Sequence, residues 1–136
     1  MTWYREIGIV QEPTDMRVLD THNRSQFFFN VEAIHDGAHD TFIEELVARL
    51  VAKGLGTYGT NIFDSAGVAV PDGEGPYLII TETGGMRPER THNSIETPAY
   101  RRPSASLVFK ASTTVAARTM ARAAYLALVS IRNQDL

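Results

Sequence analysis

The stretch Arg24–Ile34 constrains this chain more than any other. Phe27, Phe29, Val31 and Ala33 alternate with Gln26, Phe28, Asn30 and Glu32. A period of two puts the first set on one face of an extended strand and the second on the other. Such a strand is stable only within a sheet whose apolar side is covered, so the rest of the chain must supply partner strands and a covering layer. Trp3–Gln11 is rich in aromatic and β-branched residues, and Tyr77–Thr83 (YLIITET) is a stronger strand pattern. Ser104–Lys110 places Ala105, Leu107 and Phe109 on one face, and Tyr58–Phe63 reads as a shorter strand. Glu12–Asn23 is dense in turn formers and joins the first two strands as a long, exposed hairpin loop.

Two segments carry helical spacing and fit the covering layer. Phe42, Ile43, Leu46, Val47, Leu50 and Val51 form one stripe, with Glu44, Glu45, Arg49 and Lys53 on the other side. Thr41 and Glu44 predict a capping box, Asp40 is the competing cap, and Gly54 stands where a left-handed terminating residue belongs. Ser112 or Thr113 caps a second helix over Val115–Ile131. Its stripe of Ala117, Met120, Ala121, Ala124, Tyr125 and Leu128 lets it lie close on a sheet. Leu126 and Val129 fall off that stripe, so this helix expects a second buried contact, within the fold or with a neighbouring subunit. The expected architecture is α+β: an antiparallel sheet of about five strands packed with two helices, in the order ββ–α–βββ–α. It forms a single domain over 1–136, with a hairpin over 1–35, a polar joint over 36–40 and an α–βββ–α unit over 41–136.

Composition narrows the function. The net charge of −3 disfavours a protein whose main work is gripping phosphates. The absence of cysteine excludes disulfides, thiol catalysis and iron–sulfur ligation. No apolar run has the length of a membrane span, and the N-terminal residues lack the apolar core of a signal peptide.

The motifs that suggest chemistry are weak. Gly54-Leu55-Gly56-Thr57-Tyr58-Gly59 matches G-x-G-x-x-G, but it follows a helix instead of opening one, so the wrong end of the helix dipole faces a phosphate. His35, Asp36, His39 and Asp40 have ligand-like spacing, yet they lie in a turn with His22 and His92 far away in sequence. A solvated joint is the better reading, and no metal is expected. No G-x-S-x-G or ordered Ser/His/acid set is present, and Asp64, Asp72, Glu82 and Glu96 have nothing to fix them as a pair. No catalytic residue and no cofactor is expected. Arg24–Phe29 is a poor match to an RNA-stacking strand, and Phe27 and Phe29 belong to the core.

The segment Gly84–Pro103 is more informative. It reads as a long excursion carrying Arg87, Arg90, Arg101 and Arg102 together with Met86, Ile95, Tyr100 and three prolines. Arg, Tyr and Met are enriched at protein interfaces, and an excursion of this length inside a small domain is usually functional. It is the expected subunit-contact element, with Arg87, Arg90, Tyr100, Arg101 and Arg102 as its contact residues and Leu126 and Val129 added from the last helix.

Taken together, LVARLVAKGLGTYGTNIF (Leu46–Phe63), GPYLIITETGGMRPERTHN with PAYRRPSASLVFKA (Gly75–Ala111), AARTMARAAYLALVSIRN (Ala116–Asn133) and the opening hairpin (Trp3–Ala33) resemble the tail terminator proteins of long-tailed bacteriophages. These include proteins described as minor capsid or tail completion proteins. The likeness covers almost the whole chain, with one departure. In similar proteins the order is α–βββ–α–ββ, whereas here the hairpin precedes the first helix, as in a circular permutant. The resemblance implies a virion protein without enzymatic activity, assembled in the host cytoplasm. It implies a homo-oligomeric ring, hexameric in similar proteins, that ends the tail tube and meets both the tube protein and the head–tail connector or stopper. Genomic DNA passes through its lumen without specific binding, and no membrane is involved. The rival classes are a small α+β ligand-binding domain or enzyme, which predicts a deep pocket with convergent polar groups, and a nucleic-acid-binding module, which predicts an exposed aromatic sheet face.

Overall fold

A computed structural model describes residues 3–9, 11–20, 23–36, 41–64, 73–89 and 100–135; for 85–89 and 133–135 it describes the backbone alone. The elements are β1 (Trp3–Ile9), β2 (Thr14–Asp15), β3 (Ser25–Asp36), α1 (Phe42–Ala52), β4 (Ile62–Asp64), β5 (Tyr77–Glu89), β6 (Tyr100–Ala111), α2 (Thr114–Val129) and β7 (Arg132–Asp135). The fold is α+β, and the expected order holds. One sheet runs β4-β5-β6-β3-β1-β7, with β2 as a short extra rung on β3. All pairs are antiparallel except β4 with β5, which is parallel, so the sheet is mixed and not purely antiparallel. The chain also returns after α2 to add β7 beside β1, a strand the sequence reading lacked.

β3 alternates as expected. Phe27, Phe29, Val31, Ala33 and His35 are buried, while their even-numbered neighbours are half-buried or exposed. Phe29 stacks on Phe109 of β6 at 5.5 Å and meets Tyr125 of α2 edge-on at 6.2 Å, so the odd-numbered face of β3 is the helix face. On α2, Ala117, Met120, Ala121, Ala124, Ala127 and Leu128 are buried against this layer. Thr113 is the cap: its side chain accepts from the Ala116 N–H at 3.2 Å. The helix ends at Val129, two residues before the expected end, where Ile131 turns into the core to start β7.

α1 ends as its sequence predicts. Gly54 has a left-handed φ of 82°. The Leu55 N–H reaches the Leu50 carbonyl and the Gly54 N–H the Val51 carbonyl, the double bond of a Schellman stop. Its start differs. Thr41 makes no side-chain bond to the backbone and donates instead to Glu45 Oε1 at 2.8 Å, so no capping box forms with Glu44. Asp40, the competing cap, lies outside the described residues.

Three boundaries are corrected. His35 and Asp36 belong to β3 and pair with Arg101 and Tyr100, so they are strand and not joint. Residues 58–61 form a turn, closed by the Asn61 N–H on the Thr57 carbonyl, and the strand there is only Ile62–Asp64. The described ends of the Gly84–Pro103 segment are ladder and not loop: Gly84 pairs with Ser104, Gly85 with Pro103, Met86 with Arg102 and Glu89 with Tyr100. The glycines and prolines that read as turn formers are absorbed by irregularities in the ladder. A register shift falls between Glu82 and Gly84, where Gly84 takes a φ of 95° that only glycine adopts cheaply. Pro103 lacks an N–H, and the β3–β6 ladder skips from Glu32↔Ser104 to His35↔Arg101 at that point.

The two faces of β3 give a direct stability test. Phe29→Ala empties a site with no solvent exposure and is expected to cost about 3–5 kcal/mol. Phe28→Ala, on the face without helices, is expected to cost less than half of that; paired chemical-denaturation curves decide it.

Candidate assembly surfaces

The strands have two ends. The upper end holds Trp3, Asp36 and Tyr100; the lower end holds Ser25, Tyr77 and Ala111. Among the described residues, β7 has no neighbour on its outer side, and β5 has none on its outer side beyond the three residues matched by β4.

The first surface is the outward side of α2. Val115, Leu126 and Val129 are exposed at 68%, 64% and 40%, with Thr119, Arg122 and Ala123 exposed between them. Leu126 and Val129 thus find no second buried contact within the described fold, which leaves a neighbouring molecule as the alternative expected from the sequence. The charges on this helix are Arg118 and Arg122; it carries no carboxylate. Between the turn that follows α1, Pro76 and the first half of α2 lies a groove of about 400 Å³ lined by Lys53, Leu55, Ala116, Met120 and Ala123.

The second surface is the upper part of β5 and β6. Tyr100, Arg101 and Arg102 are all half-buried there. Strand alternation separates the two arginines that the sequence groups together. Arg101 stands opposite His35 on the helix side. Arg102 turns to the other side, where it lines a shallow depression of about 240 Å³ with Glu6, Gly8, Glu32 and Ile34. Tyr100 receives the Arg5 guanidinium at 6.0 Å from its ring centre. Arg87 lies in β5, but its side chain is outside the described residues, as is all of Arg90.

Beneath the upper end sits a buried cluster that takes in His35, which the sequence placed in a solvated joint, together with Tyr4 and Phe42. Tyr4 and His35 are 0% and 1% exposed, their rings 5.2 Å apart, and Phe42 packs on both. His35 Nδ1 lies 2.6 Å from the Asp36 carbonyl oxygen, which can only accept, so Nδ1 carries the proton. The Tyr4 phenol is pushed far above its ordinary value of 10.0, chiefly by burial and then by the nearby Glu45 carboxylate. The cluster is a tether between β1, β3 and α1. Among the described residues no group of three His, Asp or Glu comes together as a metal site. His22, His39, Asp40 and His92 lie outside them.

The third surface lies on the side of the sheet without helices and was read from sequence only as an exposed loop. Residues 16–20 fold back over the lower end. The Gln26 side chain donates to the Val18 carbonyl at 3.0 Å, and the Met16 N–H donates to the Gln26 carbonyl. Asp20 takes a 2.7 Å ion pair from buried Arg24, whose guanidinium stands 5.4 Å from the Tyr77 ring centre, and lies 3.7 Å from Lys110. Arg17 adopts a φ of 59°, held by its N–H on Asp15 Oδ1 at 2.8 Å. The result is a fixed turn that presents Met16, Val18 and Leu19 at 39%, 64% and 55% exposure. The only sequence signal for it was the presence of three apolar residues among turn formers.

The remaining motifs find plain roles. Gly54 and Gly59 serve the helix stop and the turn that follows it. Asp64 accepts from the Tyr58 hydroxyl, Glu82 is exposed on β5, and Asp72 and Glu96 lie outside the described residues. Phe27 and Phe29 are core.

The buried phenol sets an alkaline limit. Below pH 10 both folded and unfolded chains keep Tyr4 protonated, and it contributes no pH dependence. Above it the unfolded chain ionises while the folded one does not, so stability falls by about 1.4 kcal/mol per pH unit from this group. Tyr4→Phe is expected to flatten that decline between pH 10 and 12 in denaturation curves, against a wild type that keeps the full slope.

No protein-family model, no curated protein and no solved structure matches the chain.

Proposed function

We infer that this chain is a structural ring subunit of the bacteriophage tail-terminator type, which ends a tail tube and joins it to the head connector while DNA passes through the lumen. The observation that carries the reading is the β1–β7 ladder, in which Trp3 pairs with Asp135 and Glu6 with Arg132. The opening hairpin thereby sits in the sheet directly beside the strand that follows α2. The order α–βββ–α–ββ of the resembling proteins is related to this one by a change of connection at that seam, with β7 and the short β2 as additions. A domain with adjacent first and last strands tolerates that change.

Assembly into a ring needs two different faces on each subunit, because head-to-tail contacts close only when unlike patches meet. Two features support this. The outward stripe of α2 exposes Val115, Leu126 and Val129, and the upper end of β6 carries half-buried Arg102 on the side of the sheet without helices, with Arg101 beside it on the helix side. The candidate contact residues Arg87 and Arg90 remain part of the reading. Partners are further copies of the chain, the tube protein and the connector or stopper. The role is geometric, without catalysis, cofactor or metal.

The test is mass by light scattering together with negative-stain imaging. Rings of defined number, six in the resembling proteins, are expected; a strict monomer at high concentration overturns the reading. Leu126→Glu with Val129→Glu, and separately Arg101→Glu with Arg102→Glu, are expected to disperse the rings while circular dichroism stays that of the wild type.

A further inference from the structure

We propose that the outward stripe of α2 in one copy packs on the free flank of α1 and β4 in the next, with Arg118 and Arg122 meeting Glu44 and Asp64 across the contact. The inference rests on the ring reading above and gives its α2 face an opposite number.

The helix layer has two unlike flanks. On α1, the Arg49 side chain donates to the Ala127 carbonyl of α2 at 3.4 Å and so marks the side turned to its neighbour. Helical spacing carries Glu44, Ala48 and Val51 away from Arg49, and all three are exposed. Exposed Tyr58 and half-buried Asp64 extend this flank beyond the helix. The Tyr58 phenol is held above its ordinary value first by its bond to Asp64, then by desolvation and the Asp64 charge, and last by Glu44, so both carboxylates act on one phenol. On α2, Ala116 and Ala123 line the groove beside the end of α1. The same spacing takes Arg118, Arg122 and Val129 round to the far side, with Val115 and Leu126 outermost.

The flanks are complementary in charge. α2 carries two guanidinium groups and no carboxylate. The α1 flank carries Glu44 and Asp64, while Lys53 faces the groove instead. Among the described residues none of these four makes an ion pair: Arg118 lies over the Phe27 ring at 5.8 Å, and Asp64 accepts from the neutral Tyr58 hydroxyl. Their charges are therefore available to a partner, and opposite charge across a contact sets partner and register. Around them each flank is apolar, with Val115, Leu126 and Val129 on one and Ala48, Val51 and Tyr58 on the other. Arginine and tyrosine among aliphatic groups is the composition of a protein interface. The two flanks lie on opposite sides of one helix layer, so a copy cannot satisfy itself and the contact runs head-to-tail.

The test uses the full chain in three forms: wild type, Arg118→Glu with Arg122→Glu, and Glu44→Lys. All substituted positions are exposed on helices and the new residues are good helix formers, so the fold is retained, as thermal melts will verify. Each variant alone sets like charge against like charge and is expected to weaken self-association by about tenfold or more, read by light scattering. Mixed one to one, the two variants bring opposite charges together again, and association is expected to recover to near that of the wild type. If the wild type forms rings and either variant does so equally well, or if the mixture associates no better than its components, the contact between these flanks is wrong while the ring reading stands. If the wild type itself is monomeric, both are wrong.

Discussion

The close seating of α2 on β3 and β6 is the contact from which the rest of the molecule follows. Ala117, Ala121 and Ala124 have no exposed surface, and their small size lets the helix approach until the sheet's aromatics fill the space between, with Phe29 stacked on Phe109 and edge-on to Tyr125. This commits one side of the sheet to the helices. It also fixes which residues of every strand face inward, because a slip of one residue would turn the whole apolar set outward. A helix of 16 residues spans about 24 Å, whereas a strand of 13 spans about 43 Å. The α2 layer therefore stops short of the upper ladder, and the side without helices is left to the turn of residues 16–20.

Most of this architecture was legible in the chain. The alternation of Phe27, Phe29 and Val31 gave the central strand and its inner face, and the spacing of Phe42, Leu46 and Leu50 gave α1 with its glycine stop. What failed to read did so for local reasons. Gly84, Gly85 and Pro103 signal turns by intrinsic preference, yet in the sheet they sit at a register shift and at a skipped rung, where the ladder demands little of them. β7 has no apolar pattern in its residues Arg132–Asp135, and what signals it in the fold is its backbone pairing to β1. Thr41 and Glu44 have the spacing of a capping box, but Glu45 took the hydroxyl.

The candidate surfaces were legible in part. Leu126 and Val129 were found by their position off the helical stripe, and they are exposed. Arg101 and Arg102 were found as a pair, but consecutive strand residues point to opposite sides and so serve different surfaces. The apolar turn at Val18 and Leu19 was hidden among turn formers. What distinguishes it from an ordinary loop is the set of bonds that stiffens it, and those depend on Gln26 and Arg24 reaching back from β3.

The pairing of Trp3 with Asp135 has a mechanical side. Two antiparallel neighbours paired at one end carry their hydrogen bonds along the direction in which those ends would be drawn apart. Tension applied between these residues loads the rungs singly and peels β7 from β1, leaving the layer beneath α2 untouched. The same load passed between other parts of the sheet must shear many rungs together. A domain of this kind is soft at its seam and stiff across its body.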